Sequence, residues 1–224
     1  MEDTFSFILG ILPYLLEGVY ITLEISIISF VMGFVLASLL TPTRLFARPP
    51  LSWIARVYIE GFRGTPLLVQ LFVIYFGLPA IGFKFDALTA GIIALGLNSA
   101  AYQAEILRSS IKAIPEGQFL AAESLGMSTA QIYRYVVLPQ AVRTAVPALV
   151  NEFVTLIKES SLVSVIGVVE LTRRGEYVVA YTFRALEVYL AVALIYFVLC
   201  AIFSQTARVA ERKFRIPGYE RGGA

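Results

Sequence analysis

The sequence predicts an all-α, polytopic membrane protein with five transmembrane helices, an external N-terminus and a cytoplasmic C-terminus. Of its 224 residues, 58% are hydrophobic and only 15% are charged, and the mean hydropathy is +0.78, which excludes a soluble globular domain. Several uncharged stretches approach the roughly 20 residues that a spanning helix needs. Lysine and arginine are concentrated between alternate stretches, which predicts the orientation.

The composition also excludes most enzyme chemistries. The chain has no histidine and a single cysteine, Cys200, so an internal disulfide and imidazole-based metal or Ser-His sites are impossible. Its two aspartates, Asp3 and Asp86, do not form a plausible catalytic pair. The basic residues are dispersed and the net charge is only +2, which disfavours nucleic-acid binding. We therefore expect no catalytic residues, no metal and no cofactor.

Five segments are predicted to cross the bilayer. Four are the uncharged runs 25–43, 64–83, 87–104 and 188–207. The fifth, 144–169, is long and apolar enough to cross, although it carries Glu152, Lys158 and Glu159. Because Met1 is followed by two acidic residues, without the basic region and cleavage site of a signal peptide, we expect the first helix to be retained.

An external N-terminus places most basic residues on the cytoplasmic side of the membrane, as the positive-inside rule requires. Twelve of the 18 basic residues are then cytoplasmic: Arg44, Arg48, Arg56, Arg108, Lys112, Arg134, Arg143, Arg208, Arg212, Lys213, Arg215 and Arg221. Four are external: Lys84, Arg173, Arg174 and Arg184. The chain divides into an extracytoplasmic segment with the start of the first helix (1–18), a transmembrane domain (19–210) and a cytoplasmic tail (211–224).

Two connections are long enough to have structure of their own. The cytoplasmic segment 111–140 contains a patch of small residues and is predicted to be a docking surface. The external segment 170–187 has balanced charges and is predicted to form either a short amphipathic hairpin or a helix beside a gate.

Ionisable and polar residues within the spans are the main functional clue, because the bilayer makes them costly unless they face a cavity or a partner. They form two stripes at i, i+4, i+7 spacing, so each stripe lines one helix face. The stripe on the third span consists of Asn98, Tyr102 and Glu105, and the stripe on the fourth consists of Asn151, Thr155 and Lys158. Glu152 lies beside the second stripe. They predict a hydrophilic path for a zwitterionic solute. The alternative is architectural, with Lys158 paired to Glu105 or Glu152 between helices.

The second span opens on a sequence that disturbs helices. Arg63, Gly64, Thr65 and Pro66 stand where the apolar run begins. Unwound backbone at membrane depth occurs only where it is buried in protein or lines an aqueous cavity, so these residues predict a broken helix at a gate or binding site. The alternative is a capped helix start, in which Pro66 occupies an early position.

The cytoplasmic segment resembles the EAA loop of ABC importer permeases. That pattern is Glu-Ala-Ala, three residues, Gly, nine residues, Ile, any residue, Leu-Pro. The matching residues are Ala121, Ala122, Gly126, Leu138 and Pro139, with Val136 where isoleucine is usual. Leu120 departs from the pattern because it replaces the glutamate.

Further stretches at 63–70, 98–105, 151–153 and 158–162 look like the polar amino-acid branch of this family, the histidine, arginine, glutamine and related permeases. The resemblance implies the type I importer permease fold in the cytoplasmic membrane. It also implies an ABC ATPase dimer, a second permease subunit, identical or related, and an extracytoplasmic solute-binding protein that delivers the amino acid. It assigns ATPase coupling to the loop at about 112–140, namely to Gly117, Gln118, Leu120, Ala121, Ala122, Leu125 and Gly126.

The sequence contains no GxxxxGK[ST] motif to hold ATP phosphates, so the energy for uphill transport is expected from a partner. The competing hypotheses are an importer for another small solute, such as a quaternary amine or an inorganic anion, and a passive channel or membrane scaffold.

Overall fold

A computed structural model describes residues 4–214 of the chain, except for the side chains of 207, 208 and 210–214. Within this range the chain forms nine α-helices and no β-strand, which confirms the all-α prediction for the described residues. The helices are α1 (Thr4–Phe46), α2 (Leu51–Gly64), α3 (Leu67–Phe72), α4 (Ala87–Lys112), α5 (Glu116–Ser124), α6 (Thr129–Ile132), α7 (Leu138–Glu159), α8 (Leu171–Thr182) and α9 (Ala185–Phe214).

Short irregular turns extend several of these helices. The chain is π-helical at Val73–Gly77 and Tyr133–Val137, and 3-10 helical at Leu78–Ile81 and Ser160–Ile166. Residues 1–3 of the predicted outer segment and 215–224 of the predicted tail lie outside the described residues. The side chains of Arg208, Arg212 and Lys213, which contribute to the predicted orientation, lie outside them as well.

The first helix is longer than the span predicted for it. α1 begins at Thr4 and has 43 residues, so it is about 64 Å long at 1.5 Å per residue, roughly twice the thickness of the hydrocarbon core. The prediction started at residue 25 because Glu17 and Glu24 interrupt the uncharged run. A carboxylate on the helix surface does not interrupt backbone hydrogen bonding, and Glu17 forms an ion pair of 2.7 Å with Arg174.

α1 and α4 pack against each other and run parallel. The Ser29 hydroxyl donates to the carbonyl of Ile92 at 3.2 Å, and the Thr41 hydroxyl donates to the carbonyl of Ala104 at the same distance. Both contacts join residues 63 positions apart, and a constant separation means that the helices point in the same direction. Parallel neighbours need a return segment between them, and α2 with α3 provides it.

This return segment is broken in the middle. α2 and the stretch from Leu67 to Ile81 are bent by 108° relative to each other. Thr65 (φ −121°, ψ 147°) and Pro66 (φ −63°, ψ 134°) have extended backbones, because proline disfavours the helical conformation in the residue before it. Pro66 is also the N-cap of α3, so the break and the new helix start coincide, and the two sequence-based alternatives describe one feature.

α7 returns antiparallel to α4 and leads into α8. Ser99 of α4 contacts Glu152 of α7, whereas Gly91, earlier in α4, lies against Val163, beyond the end of α7. The segment predicted to be external forms a helix, α8, rather than a hairpin. Glu170 caps it by accepting hydrogen bonds from the backbone N–H groups of Thr172 and Arg173 at 2.9 and 2.8 Å.

Length and apolar composition alone single out two of the described helices as candidate spans, α1 and the part of α9 from Ala185 to Thr206. The bent pair of α2 and the stretch 67–81 would be a third. α4 and α7 do not qualify because small and polar residues lower their hydropathy. The prediction of five spans therefore stays a prediction at this point.

Candidate functional site

The stripe predicted on α7 lies on an accessible face. Asn151 and Lys158 are exposed and Thr155 is half-buried; these three residues are called the α7 stripe below. The Lys158 ammonium forms no ion pair with any carboxylate of the described residues. The architectural pairing of Lys158 with Glu105 or Glu152 is therefore wrong within the described chain, and the α7 stripe carries an ammonium that holds no direct ion pair there.

Glu152 lies beside the α7 stripe but points to α4. Its carboxylate accepts a hydrogen bond of 2.8 Å from the Ser99 hydroxyl, and that hydroxyl accepts one of 2.9 Å from the Gln103 amide. Ser99 and Gln103 are fully buried. Glu152 thus joins α7 to α4 through a polar contact that the sequence stripes do not contain, because Ser99 and Gln103 lie outside the predicted stripe.

The stripe predicted on α4 divides into three different environments. Asn98 is buried, with 4% exposure, and Tyr102 is exposed, with the Arg63 guanidinium 5.4 Å from its ring centre. Glu105 lies in an ion-pair cluster. The three residues share a helix face, yet Asn98 is buried among other side chains while Tyr102 and Glu105 share Arg63 as a neighbour. Spacing alone therefore does not identify a common role.

Asn98 belongs to a network that spans the break between α2 and α3. Its amide donates to the carbonyl of Phe62 at 3.3 Å and to the side-chain oxygen of Gln70 at 3.0 Å. The amide of Gln70 donates to the carbonyls of Phe62 and Thr65 at 2.8 and 3.1 Å, and to the Thr65 hydroxyl at 2.8 Å. These side chains replace the helical hydrogen bonds that the break removes.

Gln70 is a member of this network that the sequence stripes do not include. A single glutamine within the apolar run that follows the break is a signal that can identify it, because a buried amide needs partners and a broken helix supplies unpaired carbonyls.

Glu105 is surrounded by arginines from three helices. Arg44 of α1 contacts its carboxylate at 2.8 Å, Arg63 of α2 approaches it to 3.9 Å, and Arg108 forms a bidentate ion pair with it. Arg44 also lies 3.5 Å from Glu60. This cluster joins the ends of α1 and α2 to α4 just before α4 leads into α5.

The predicted coupling residues form a short projecting helix and its turn. Leu120 and Leu125 are 57% and 83% exposed, whereas Ala122 is buried against the segment's own core of Ile114 and Ile132. Ala121, Gly117 and Gln118 are exposed as well. The replacement of glutamate by Leu120 thus puts an apolar side chain on the accessible surface.

Gly126 ends this helix. It has a φ of +78°, and its N–H and that of Met127 donate to the carbonyls of Glu123 and Ala122 at 2.8 and 3.2 Å. A left-handed residue that closes the last helical turn is the usual site of a glycine. The turn directs the chain into α6, which begins with a capping box between Ser128 and Gln131.

Comparison with known proteins finds relatives along the whole chain. A family model described as binding-protein-dependent transport system inner membrane component matches residues 29–216. The arginine transport system permease protein ArtQ of Bacillus subtilis is 42% identical over 216 residues, which is 96% of this chain and 99% of that protein. The glutamine transport system permease protein GlnP of Escherichia coli is 39% identical over 218 residues, 96% of this chain and 100% of that protein.

Solved structures share the fold. A crystal structure of an amino acid ABC transporter with histidines superposes with a TM-score of 0.91 at 41% identity, covering 95% of this chain and 99% of that one. An inward-facing methionine ABC transporter, MetNI, superposes with a TM-score of 0.75 over 92% of this chain and 99% of that one. At 24% identity, the second match indicates the fold alone.

Proposed function

This chain belongs to the family of binding-protein-dependent transport system inner membrane components, and from that premise we propose that it is the translocation subunit of an ATP-driven importer for polar amino acids. The observation that carries the proposal is the α7 stripe, a row of polar side chains on a helix within a bundle rich in apolar residues. Its ammonium forms no ion pair with the part of the chain that the structure describes. Relatives named as arginine and glutamine permeases at 42% and 39% identity support the class of solute.

The proposed subunit crosses the membrane five times, with its N-terminus outside. Parallel packing of α1 and α4 supports a crossing by α2 and α3 between them. α9 starts beside the start of α1, where Arg184 donates to the Thr4 hydroxyl at 3.3 Å, and α7 runs antiparallel to α4. Directions therefore alternate along the chain through five crossings, and the excess of basic residues at the end of α1 supports a cytoplasmic location for that end.

The proposed solute pathway lies along the α7 stripe, with Glu152, Asn98, Tyr102 and Glu105 around it. Lys158 suits the carboxylate of an amino acid, and Asn151 and Thr155 offer hydrogen bonds to its polar groups. Asn98 contributes to the pathway indirectly, by stabilising the broken helix, because both hydrogen bonds of its side-chain amide go to that segment. The gate is assigned to residues 63–66, where extended backbone separates two helices.

The coupling surface is assigned to α5 and the turn at Gly126. A membrane subunit without a phosphate-binding motif needs a partner for ATP hydrolysis, and a rigid projecting helix can transmit the closure of an ATPase dimer. Leu120 and Leu125 offer an apolar contact in place of the missing glutamate. The other proposed partners are a second permease subunit that completes the pathway and an extracytoplasmic solute-binding protein.

The test begins with purification of the tagged chain from its native membranes in mild detergent. We expect ATPase activity to co-purify and to rise when a polar amino acid and its binding protein are added. Absence of an ATPase from a folded preparation would contradict the coupling role, and amino-acid flux through liposomes holding this chain alone would favour a passive channel.

A substitution at Gly126 tests the coupling turn in the reconstituted complex. Gly126→Val adds a β-branched side chain at a left-handed position, so we expect ATP hydrolysis to continue while amino-acid uptake falls. Gly61→Val is the control, because Gly61 is exposed, has ordinary backbone geometry and has open space where a Cβ atom would stand, with no neighbouring atom within 4 Å. Normal uptake by the Gly126 variant would refute the role of this turn.

A further inference from the structure

An apolar groove with a volume of about 490 Å³ runs between α1, α7 and α9. Phe34 of α1 and Val150 of α7 lie along it. Three aromatic rings among its lining residues contact one another: Phe153 lies between Phe30, at 5.3 Å, and Phe203, at 5.1 Å, and both pairs meet edge to face.

The groove faces away from the α7 stripe. Val146, Val150 and Phe153 line the groove at i, i+4, i+7 spacing, and each member of the stripe follows one of them by five residues. Five residues correspond to a rotation of roughly 140° about the helix axis at 3.6 residues per turn. A second permease subunit that encloses the pathway approaches the stripe side, so the groove side is left to another occupant.

The dimensions of the groove match one half of a bilayer. From Phe153 to Val146 it extends over seven residues of α7, or roughly 10 Å, within the roughly 15 Å of one hydrocarbon leaflet. Val146 is the lining residue of α7 that lies nearest the start of that helix. Arg143, an exposed residue, stands less than one turn beyond Val146 and about 60° around the helix from it, so a positive charge lies beside this end of the apolar groove.

We propose that this groove binds an acyl chain of an anionic phospholipid, with the lipid phosphate at Arg143. An apolar channel that opens at a guanidinium complements a molecule with a hydrocarbon tail and a negative head. The choice of a lipid over a second subunit, and the assignment to the cytoplasmic leaflet, rest on the proposed function and orientation, whereas the apolar lining and the position of Arg143 do not.

The test measures lipid retained by the full-length chain after delipidation in detergent and titration with phosphatidylglycerol or phosphatidylcholine, by native mass spectrometry. We expect one tightly held phosphatidylglycerol per chain and weaker binding of phosphatidylcholine. Val150→Trp fills the groove and should weaken binding of both lipids roughly tenfold, the factor expected from the loss of about two buried methylene groups. Arg143→Ala should abolish the preference for phosphatidylglycerol, and Arg143→Lys should keep it.

Val198→Trp is the matched control, because Val198 is an apolar residue of α9 with 47% exposure that does not line the groove. It should bind both lipids as the wild type does. Unchanged lipid binding by Val150→Trp would overturn the proposal. If Val150→Trp also converted a dimer to a monomer while lipid binding stayed unchanged, the occupant of the groove would be a second copy of the chain.

A photoreactive phosphatidylglycerol keeps the proposal testable if the Val150 variant fails to fold. Crosslinks of the wild-type chain should map to α1, α7 and α9 around the groove. Crosslinks confined to other helices would overturn the proposal.

Discussion

Replacing Gln70 by leucine removes the side chain that joins the two halves of the broken helix. Gln70 is 9% exposed, and leucine has a similar volume, so the substitution removes hydrogen bonds with little change in packing. The two N–H groups of the amide lose the carbonyls of Phe62 and Thr65 and the Thr65 hydroxyl as acceptors. The Asn98 amide loses its 3.0 Å bond to the glutamine oxygen.

The magnitude follows from these lost bonds. Hydrogen bonds between groups in membrane proteins contribute about 0.6 kcal/mol each on average. Two N–H donors and one acceptor oxygen therefore give a loss of about 2 kcal/mol in the free energy of unfolding. The Phe62 carbonyl keeps its 3.3 Å bond from Asn98, so the cost of an unpaired carbonyl falls mainly on Thr65. Because Thr65 is exposed, water reduces that cost.

The assay is unfolding of the purified chain in mixed micelles, followed by circular dichroism. Gln205→Leu is the control: Gln205 is an exposed glutamine of α9, and its side chain forms no hydrogen bond within the described residues. A double-mutant cycle with Asn98→Ala should give a coupling energy of about 0.6 kcal/mol or more for the direct bond. Additive effects would show that the two amides act independently.

A distance measurement tests the geometry of the bend between α2 and α3, in addition to the stability measured by unfolding. Spin labels at Val57 on α2 and Val73 beyond α3, both exposed, report the bend of 108°. In Gln70→Leu the distance distribution should broaden, because the break loses its side-chain bonds to the carbonyls. An unfolding energy equal to that of wild type, together with an unchanged distribution, would refute the role of Gln70.

Two further predictions concern the end of the bundle at which α4 begins. Gly18→Ala should destabilise the chain in the same unfolding assay by about 1–3 kcal/mol, the cost of overpacking, because the new Cβ would lie 2.7 Å from the Leu171 Cα. Gly10→Ala is the control and should have little effect, because no described neighbour lies within 4 Å of its Cβ position. Equal effects of the two substitutions would contradict the close approach of α8. Asp86 caps α4, and the hydrogen bonds from Thr89 lower its pKa, so its stabilising contribution is present above the ordinary pKa of an aspartate and is lost as pH falls through the lower folded pKa. Asp86→Asn keeps a cap but has no titrating group there. As pH falls through that acidic range, the thermal stability of the wild type should therefore decrease more than that of Asp86→Asn. Parallel pH profiles of the two proteins would exclude this contribution.

The predictions that came from local properties were the most successful. Apolar composition excludes a soluble domain wherever the residues stand in space, and the resemblance of the segment 111–140 identified the family that comparison confirmed. A glycine and a proline around Thr65 act on their own backbone, so the position of the bend followed from the local sequence. The uncharged-run criterion misjudged the start of α1 because it treats a surface carboxylate such as Glu17 as the end of a helix.

Only the tertiary structure decided which polar residues act together. Asn98, Tyr102 and Glu105 have one spacing and different surroundings, because most of their partners come from residues 28 to 61 positions away along the chain. Arg108, three positions from Glu105, is a local partner. For the same reason Lys158 has no ion-pair partner among the described residues, whereas Gln70 has four hydrogen-bond contacts. Helix periodicity states which residues share a face, but the free energy of a polar group in a membrane depends on what faces it. That information lies in the packing of α1, α2 and α4, which no local pattern contains.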